Sequence, residues 1–273
     1  CWKKGGHGSV NLHSALKGSC DTYFYEVAKR VGIEKLADTA RRMGFGQRWE
    51  LGMTGGRGGI VPNDAWKRER YGEPWYEGET LNIGIGQGYL NASPLQLAVM
   101  TARIARNGAI IEPNLIGDGP QPENTGIPND APADPEIMQL MKNGMYGVTS
   151  EAGGTAWRSG DLGLGGPRLA GKTGTAQVRR ISAAERARGV LKNDQLERKL
   201  RDHALFVAYA PADNPKYAIS VVVEHGGGGS AVAAPVARDI VAHAIRKNSG
   251  GTPSYARTAS LEPDPNLAGK GGL

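Results

Sequence analysis

Residues 170–178 read Ala-Gly-Lys-Thr-Gly-Thr-Ala-Gln-Val, a run of small and β-branched residues around a single lysine. With Gly166-Pro-Arg-Leu in front, they spell the G-x4-G-K-[ST] pattern of a phosphate-binding loop from Gly166 to Thr173. That loop needs an apolar strand feeding it and a helix starting right after the lysine, so that backbone N–H groups converge on phosphate. Here the preceding residues are polar and glycine-rich, and Gly174–Val178 continue as strand. Lys172 therefore belongs to a strand, and the nucleotide reading fails on context.

Arg168–Val178 is the first of three expected strands. Ala204–Ala210 and Tyr217–Glu224 follow, with the turn Pro211-Ala-Asp-Asn-Pro215 between them, and an Ala- and Val-rich helix covers Ala231–Lys247. Between the first two strands, Arg179–Asp202 is dense in Arg, Lys and Glu and holds no aromatic residue. It reads as a solvated helix or mobile excursion, and no nucleic-acid partner is expected.

Upstream the pattern is helical. Phe24, Val27, Ala28 and Val31 recur at i, i+3, i+4 and i+7, and Ile33, Leu36, Ala37 and Ala40 repeat that spacing. Gly46–Gly88 has no sustained period and reads as loop with short elements. Ser93 then fits an N-cap and Pro94 a first helical position, with Leu95, Ala98, Val99 and Ala102 as one apolar face. The proline-rich stretch 117–134 reads as a surface loop. Asp134 and Pro135 open another helix, with Ile137, Leu140 and Met141 as its buried stripe. Helices, then antiparallel strands, then a closing helix indicate an α+β fold, with an antiparallel sheet flanked by helices.

With 273 residues, 39% of them hydrophobic, the chain can bury a substantial core. Its 41 glycines follow no G-X-Y period, which excludes collagen and favours a loop-rich globular domain. No apolar run approaches the ~18–20 residues of a membrane span. The sequence opens on Cys1 without a signal-peptide pattern, so it reads as an interior or C-terminal piece of a longer chain. Residues 1–247 form the expected domain and 248–273 a flexible tail. The net charge of +6 mildly favours an anionic partner without choosing one.

Three short motifs carry candidate chemistry. Ser14-Ala-Leu-Lys17 has the S-x-x-K spacing that brings a hydroxyl and an amine onto one helix turn, and it also fits an ordinary helix surface. Ser19-Cys20-Asp21 resembles the S-x-N/D element of penicillin-interacting enzymes, and Lys172-Thr173-Gly174 their K-T-G element, in the order and strand context those enzymes show. The surrounding text makes the match close. Residues 7–26 (HGSVNLHSALKGSCDTYFYE), 82–108 (NIGIGQGYLNASPLQLAVMTARIARNG), 170–178 and 222–229 (VVEHGGGG) all resemble the penicillin-binding protein 2 family, the peptidoglycan D,D-transpeptidases of bacterial cell elongation.

The resemblance implies the C-terminal part of a transpeptidase domain of the penicillin-binding protein/β-lactamase-like fold. In that family a serine attacks the D-alanyl-D-alanine carbonyl of a peptidoglycan stem, and the acyl group then passes to a neighbouring stem's amine. The family's nucleophilic serine lies tens of residues upstream of S-x-N/D, whereas Ser14 is only five residues before Ser19. The nucleophile is thus expected outside this chain. Carried over residue by residue, the resemblance makes Ser19 a proton-relaying hydroxyl and Lys172 a positive charge near the substrate carboxylate. It makes Thr173 and Thr175 hydroxyls for that carboxylate, the Thr175 N–H half of an oxyanion hole, and Gly174 the place where the substrate backbone lies against the strand. Asp21 stands where the wider family has Asn; an ionised Asp accepts but cannot donate, so pairing with a lysine is expected in place of a substrate-amide contact.

The same resemblance implies β-lactams, stem peptides and the elongation machinery with its polytopic glycosyltransferase as partners. It also implies a periplasmic domain on the bacterial inner membrane, anchored by an N-terminal helix outside this chain, and no catalytic cofactor. The alternatives on the same fold are a β-lactamase-type hydrolase and a non-catalytic penicillin sensor. The hydrolase reading wants a Glu general base between the two motifs. The sequence offers E-x-x-x-N only at Glu262–Asn266, beyond both.

Cys1, His7 and Cys20 are spaced C-x5-H-x12-C and offer suitable zinc ligands. Some family relatives carry a zinc near the site, and His7 and Cys20 fall at matching positions, with Cys1 where an acidic ligand aligns. A structural Zn2+, a Cys1–Cys20 disulfide and two buried thiols are all open readings. His13, His203 and His243 read as surface or structural histidines, and His225 as a site rim or a turn.

Overall fold

The computed structural model describes residues 1–3, 5–52, 56–115, 134–179 and 181–248. The expected stretches 117–134 and 248–273 lie almost wholly outside them. The helical stretch after Gly8 resolves into α1 (Leu12–Gly18), α2 (Asp21–Val31) and α3 (Ile33–Arg42). Gly32, at φ +78°, makes the break between α2 and α3. Residues 46–88, expected to be mostly loop, contain two eight-residue helices, α4 (Asp64–Tyr71) and α5 (Glu77–Gly84). Local capping outweighs the missing apolar period: Asn63 accepts from the Trp66 N–H, and Glu79 reaches back to the Tyr76 N–H. Lys67, only 1% exposed, joins the two helices through Glu79 at 2.5 Å and lies over the Tyr76 ring.

Helix α6 (Pro94–Ala105) begins at the Ser93 cap as expected, but its buried face is rotated from the expected one. Gln96 and Arg103 are fully buried while Leu95 is exposed. The irregular segments beside α6 leave carbonyls that need donors. Gln96 Nε2 donates to Gln47 and Gly58 O, and Arg103 donates to Arg42 and Ile111 O and to Glu112. In α7 (Pro135–Ser150) the buried residues are Met138, Gly144, Met145, Gly147, Val148 and Thr149, and the expected stripe residues Ile137 and Leu140 are exposed. Gly144 explains the rotation: an added Cβ would stand 2.5 Å from Leu16 of α1, so the glycine face turns inward to let α1 and α7 meet.

The strands form one antiparallel sheet in the order β1 (Ala170–Ala176), β2 (His203–Ala210), β3 (Tyr217–Val223). Strand period two divides β2 between two cores. Ala204, Phe206, Ala208 and Ala210 face α9 (Ala233–Asn248), whose Ala233, Ala234, Ala237, Val241 and Ala242 complete that side. Tyr209 faces Ile104, Ala105 and Met145 of α6 and α7 on the other. Alanines facing alanines bring α9 close to the sheet. The charged excursion between β1 and β2 holds α8 (Ala183–Arg188), and Arg179 forks onto Glu185 with both contacts at 2.7 Å. With order β1-β2-β3, β1 is an edge strand among the described residues, and its Lys172 reaches the α1–α2 corner.

Candidate active site

Asn11 caps α1: its carboxamide oxygen accepts from the Ser14 N–H, and Ser14 Oγ accepts from the Asn11 N–H, both at 2.9 Å. Lys17 pairs with Glu151 at 3.1 Å, and His13 meets the same oxygen at 3.0 Å. These partners hold the Glu151 carboxyl below the usual range, His13 contributing most. Both ends of S-x-x-K are thus committed to the scaffold, and Ser14–Lys17 is a helix-capping and ion-pairing feature. Lys172 and Thr173 continue in β1 instead of opening a helix, so the phosphate-loop letters are also without their context.

Ser19, Cys20 and Asp21 turn the corner between α1 and α2. Ser19 occupies the left-handed region at φ +53°, a conformation costly for a residue with a Cβ. Trp2 pins the turn from outside: its indole N–H donates to Ser19 O at 2.9 Å and its backbone N–H to Asp21 at 3.0 Å. The turn aims Ser19 Oγ at β1, where Lys172 Nζ donates to it at 2.6 Å across 153 residues of sequence. Burial of the ammonium lowers the Lys172 pKa to about 8, and the charge of Asp21 opposes that fall. Among the described residues Asp21 makes no ion pair within 4.0 Å. The expected lysine pairing is therefore an electrostatic influence on Lys172, while the carboxylate's hydrogen bond comes from Trp2.

Lys172 also donates to its neighbour's carbonyl, Thr173 O, at 3.0 Å. The Thr173 hydroxyl meets that of Thr155 at 2.8 Å, and Gln87 Nε2 donates to Thr175 O at 2.8 Å. Gly174 is constrained from inside the protein. An added Cβ would stand 3.2 Å from that of Leu205 on β2, and one on Gly229 would stand 2.5 Å from the Gly174 oxygen. Close packing of the segment after β3 against β1 and β2 thus requires a bare Gly229, while Gly174 itself is crowded by Leu205. His225 belongs to a turn: at φ +58° its N–H donates to His203 Nδ1 at 2.9 Å.

Behind the corner, Cys1, His7 and Cys20 bring their ligand atoms within 4.8 Å of one another. Cys20 is buried, and Cys1 Sγ lies 3.2 Å from His7 Nδ1. Both cysteines are free thiols. His7 packs where Gly18 lacks a side chain, since a Cβ there would lie 3.2 Å from the ring. Two thiols and an imidazole converging on one point form a donor set that suits zinc.

Thr155 and Gln87 escaped the reading of the sequence. Thr155 lies in no motif, and Gln87 sits in the Ile85–Tyr89 loop without periodicity to mark it; only the tertiary fold brings either to β1.

Comparison with known proteins accords with this geometry. The description "Penicillin binding protein transpeptidase domain" matches residues 1–242. The peptidoglycan D,D-transpeptidase MrdA of Haemophilus influenzae is 38% identical over 246 residues, 88% of this chain and 37% of the relative. The chain thus spans well under half the length of such relatives. The structure of Pseudomonas aeruginosa PBP2 in complex with WCK 5153 aligns with a TM-score of 0.77 at 40% identity, covering 94% of this chain and 52% of that one. Helicobacter pylori PBP2, solved in complex with MreC, aligns at 0.71 and 35% identity, covering 91% and 42%. A serine–lysine contact on the edge strand, the helix-flanked antiparallel sheet and these matches together make the chain a member of the penicillin-binding protein transpeptidase family.

Proposed function

We propose that the chain supplies one wall of the active site of a peptidoglycan D,D-transpeptidase. The acylated serine and its activating lysine would come from a segment outside residues 1–273, because the sequence's S-x-x-K is spent on capping and ion pairing. The observation that carries the reading is the 2.6 Å contact of Lys172 Nζ with Ser19 Oγ on an edge strand.

In the reaction, the serine oxygen bonds to the donor stem's penultimate D-alanine carbonyl and its proton passes to a base. The C–N bond to the terminal D-alanine then breaks, and that amine leaves with a proton. Ser19 can pass this proton, because its hydroxyl both accepts from Lys172 and retains a hydrogen to give. An acceptor stem's amine next attacks the ester, gives up a proton along the same route and regenerates the serine. Lys172, positively charged below about pH 8, sits with the Thr173 and Thr175 hydroxyls where a terminal carboxylate would bind. The Thr175 N–H on the open edge would stabilise the oxyanion.

Cys1, His7 and Cys20 would hold a structural Zn2+, with a fourth ligand from outside the chain. The metal would contribute folding energy and fix the Ser19–Asp21 corner from the rear, leaving the chemistry to protein side chains. A protein of this kind would be anchored in the inner membrane with the domain in the periplasm, bind β-lactams and join the elongation machinery. The complex of H. pylori PBP2 with MreC supports that assembly. Among the described residues no helix is long and apolar enough to cross a membrane.

The test is acylation. The longer natural protein, incubated with a fluorescent penicillin and mapped by mass spectrometry, should carry one adduct on a serine outside residues 1–273, and the isolated chain none. An adduct on Ser14 would overturn the assignment.

A further inference from the structure

We propose that Gln87 is a specificity-determining residue that occupies the Thr175 carbonyl until the acyl donor's amide N–H displaces it. The inference rests on the transpeptidase reading above and deepens it.

The argument begins with the sheet edge. In an antiparallel strand the N–H and C=O of one residue point to the same side, and alternate residues point away from the partner. Thr173 and Thr175 are two apart, and both their carbonyls accept from side chains: Lys172 Nζ at 3.0 Å and Gln87 Nε2 at 2.8 Å. These carbonyls therefore face the open edge of β1, and so does the Thr175 N–H. An extended peptide joining this edge would accept from that N–H and donate its own N–H to the Thr175 oxygen, as an added strand does. A carboxamide N–H carries the same donor chemistry as a peptide N–H. Gln87 thus makes, from within the protein, the bond that a donor's backbone would make.

The loop is built to deliver it. Gly86 and Gly88, at φ +75° and +79°, flank Gln87, and the Gln87 N–H is tied to Asn82 O at 2.9 Å. The backbone is fixed, while the side chain reaches across to β1 and remains partly exposed. A ligand with an amide N–H at this position recovers the bond it displaces. One without an N–H leaves Gln87 in place and gains nothing from its removal. Gln87 thereby weights the site according to whether the ligand brings its own donor.

The experiment compares wild type, Gln87→Ala and the near-isosteric Gln87→Met in the longer natural protein. Acylation by benzylpenicillin, which carries an acylamino N–H, is measured against acylation by imipenem, which has none. In both variants the benzylpenicillin-to-imipenem ratio of second-order rate constants should rise about two- to tenfold, the scale of one net hydrogen bond. The gain should appear in the pre-covalent binding constant. An unchanged ratio, or an equal fall for both compounds, would show that Gln87 only braces the edge and would overturn the inference while the transpeptidase reading stands. Failure of wild type to be acylated by either compound would overturn that reading, and this inference with it.

Discussion

The two sides of the Ser19–Asp21 corner use the same three-residue turn for opposite ends. In front, Ser19 meets a lysine whose ammonium is short of water; behind, Cys20 is buried against His7 and Cys1. The front contact works against stability, because a charge is held where solvation is poor. The rear cluster can add stability if a metal joins it. The turn itself, with Ser19 in a left-handed conformation, persists because α1, α2 and Trp2 hold it from three directions. A strained residue between a costly front and a stabilising back is the arrangement expected where position matters more than stability.

That contrast can be broken from the front. Lys172→Ala in the longer protein should lower the penicillin acylation rate by about 10²–10³, the scale of one lost electrostatic contact. Its thermal midpoint should hold or rise, since the replaced charge was poorly solvated. Stopped-flow acylation and calorimetry on one preparation check both halves; parallel losses would mean that Lys172 is part of the scaffold.

From behind, the sign reverses. One zinc per protein should be found by metal analysis, and chelation should lower the wild-type melting temperature by several degrees. Cys20→Ser should start lower, by about 1–3 kcal/mol for an alcohol left in a buried site, and should not respond to chelator. Absence of stoichiometric zinc together with a Cys1–Cys20 disulfide by mass mapping would remove the rear half of the comparison.

A finer probe acts on the turn between them. Ser19→Gly should be more stable than Ser19→Ala by about 1 kcal/mol, because only glycine takes φ +53° without penalty. Both should lose the relay hydroxyl and slow acylation equally. Chemical denaturation separates the two variants, and an equal midpoint would mean that the turn relaxes.

The front also carries a pH dependence of its own. Lys172 has a folded pKa of about 8 against an ordinary value of 10.5. Between these values the unfolded chain holds the extra proton, so this lysine makes stability rise with pH from 8 to 10.5. Below pH 8 both states are protonated and its contribution is flat. Subtracting the Lys172→Met profile from wild type isolates that slope, and a difference profile level through pH 9 would contradict it.

Much of this protein was written locally. The three strands, the Ser93–Pro94 start of α6 and the Asp134–Pro135 start of α7 follow from period and capping chemistry, which act over a few residues. The motifs marked Ser19 and Lys172 as candidates, and the C-x5-H-x12-C spacing marked the thiols and imidazole that the fold gathers within 4.8 Å. The tertiary structure decided the rest. Helix α6 turns buried Gln96 and Arg103 toward carbonyls in distant loops, and α7 turns Gly144 toward Leu16, because partners outside a helix choose its buried face. Thr155 lies outside every motif, and Gln87 lies in a family-like stretch that gives it no role; no period could announce contacts across 18 and 88 residues. Sequence determines which groups are present and what local backbone carries them. Long-range packing sets which of them share a site, because that depends on how whole elements close on one another.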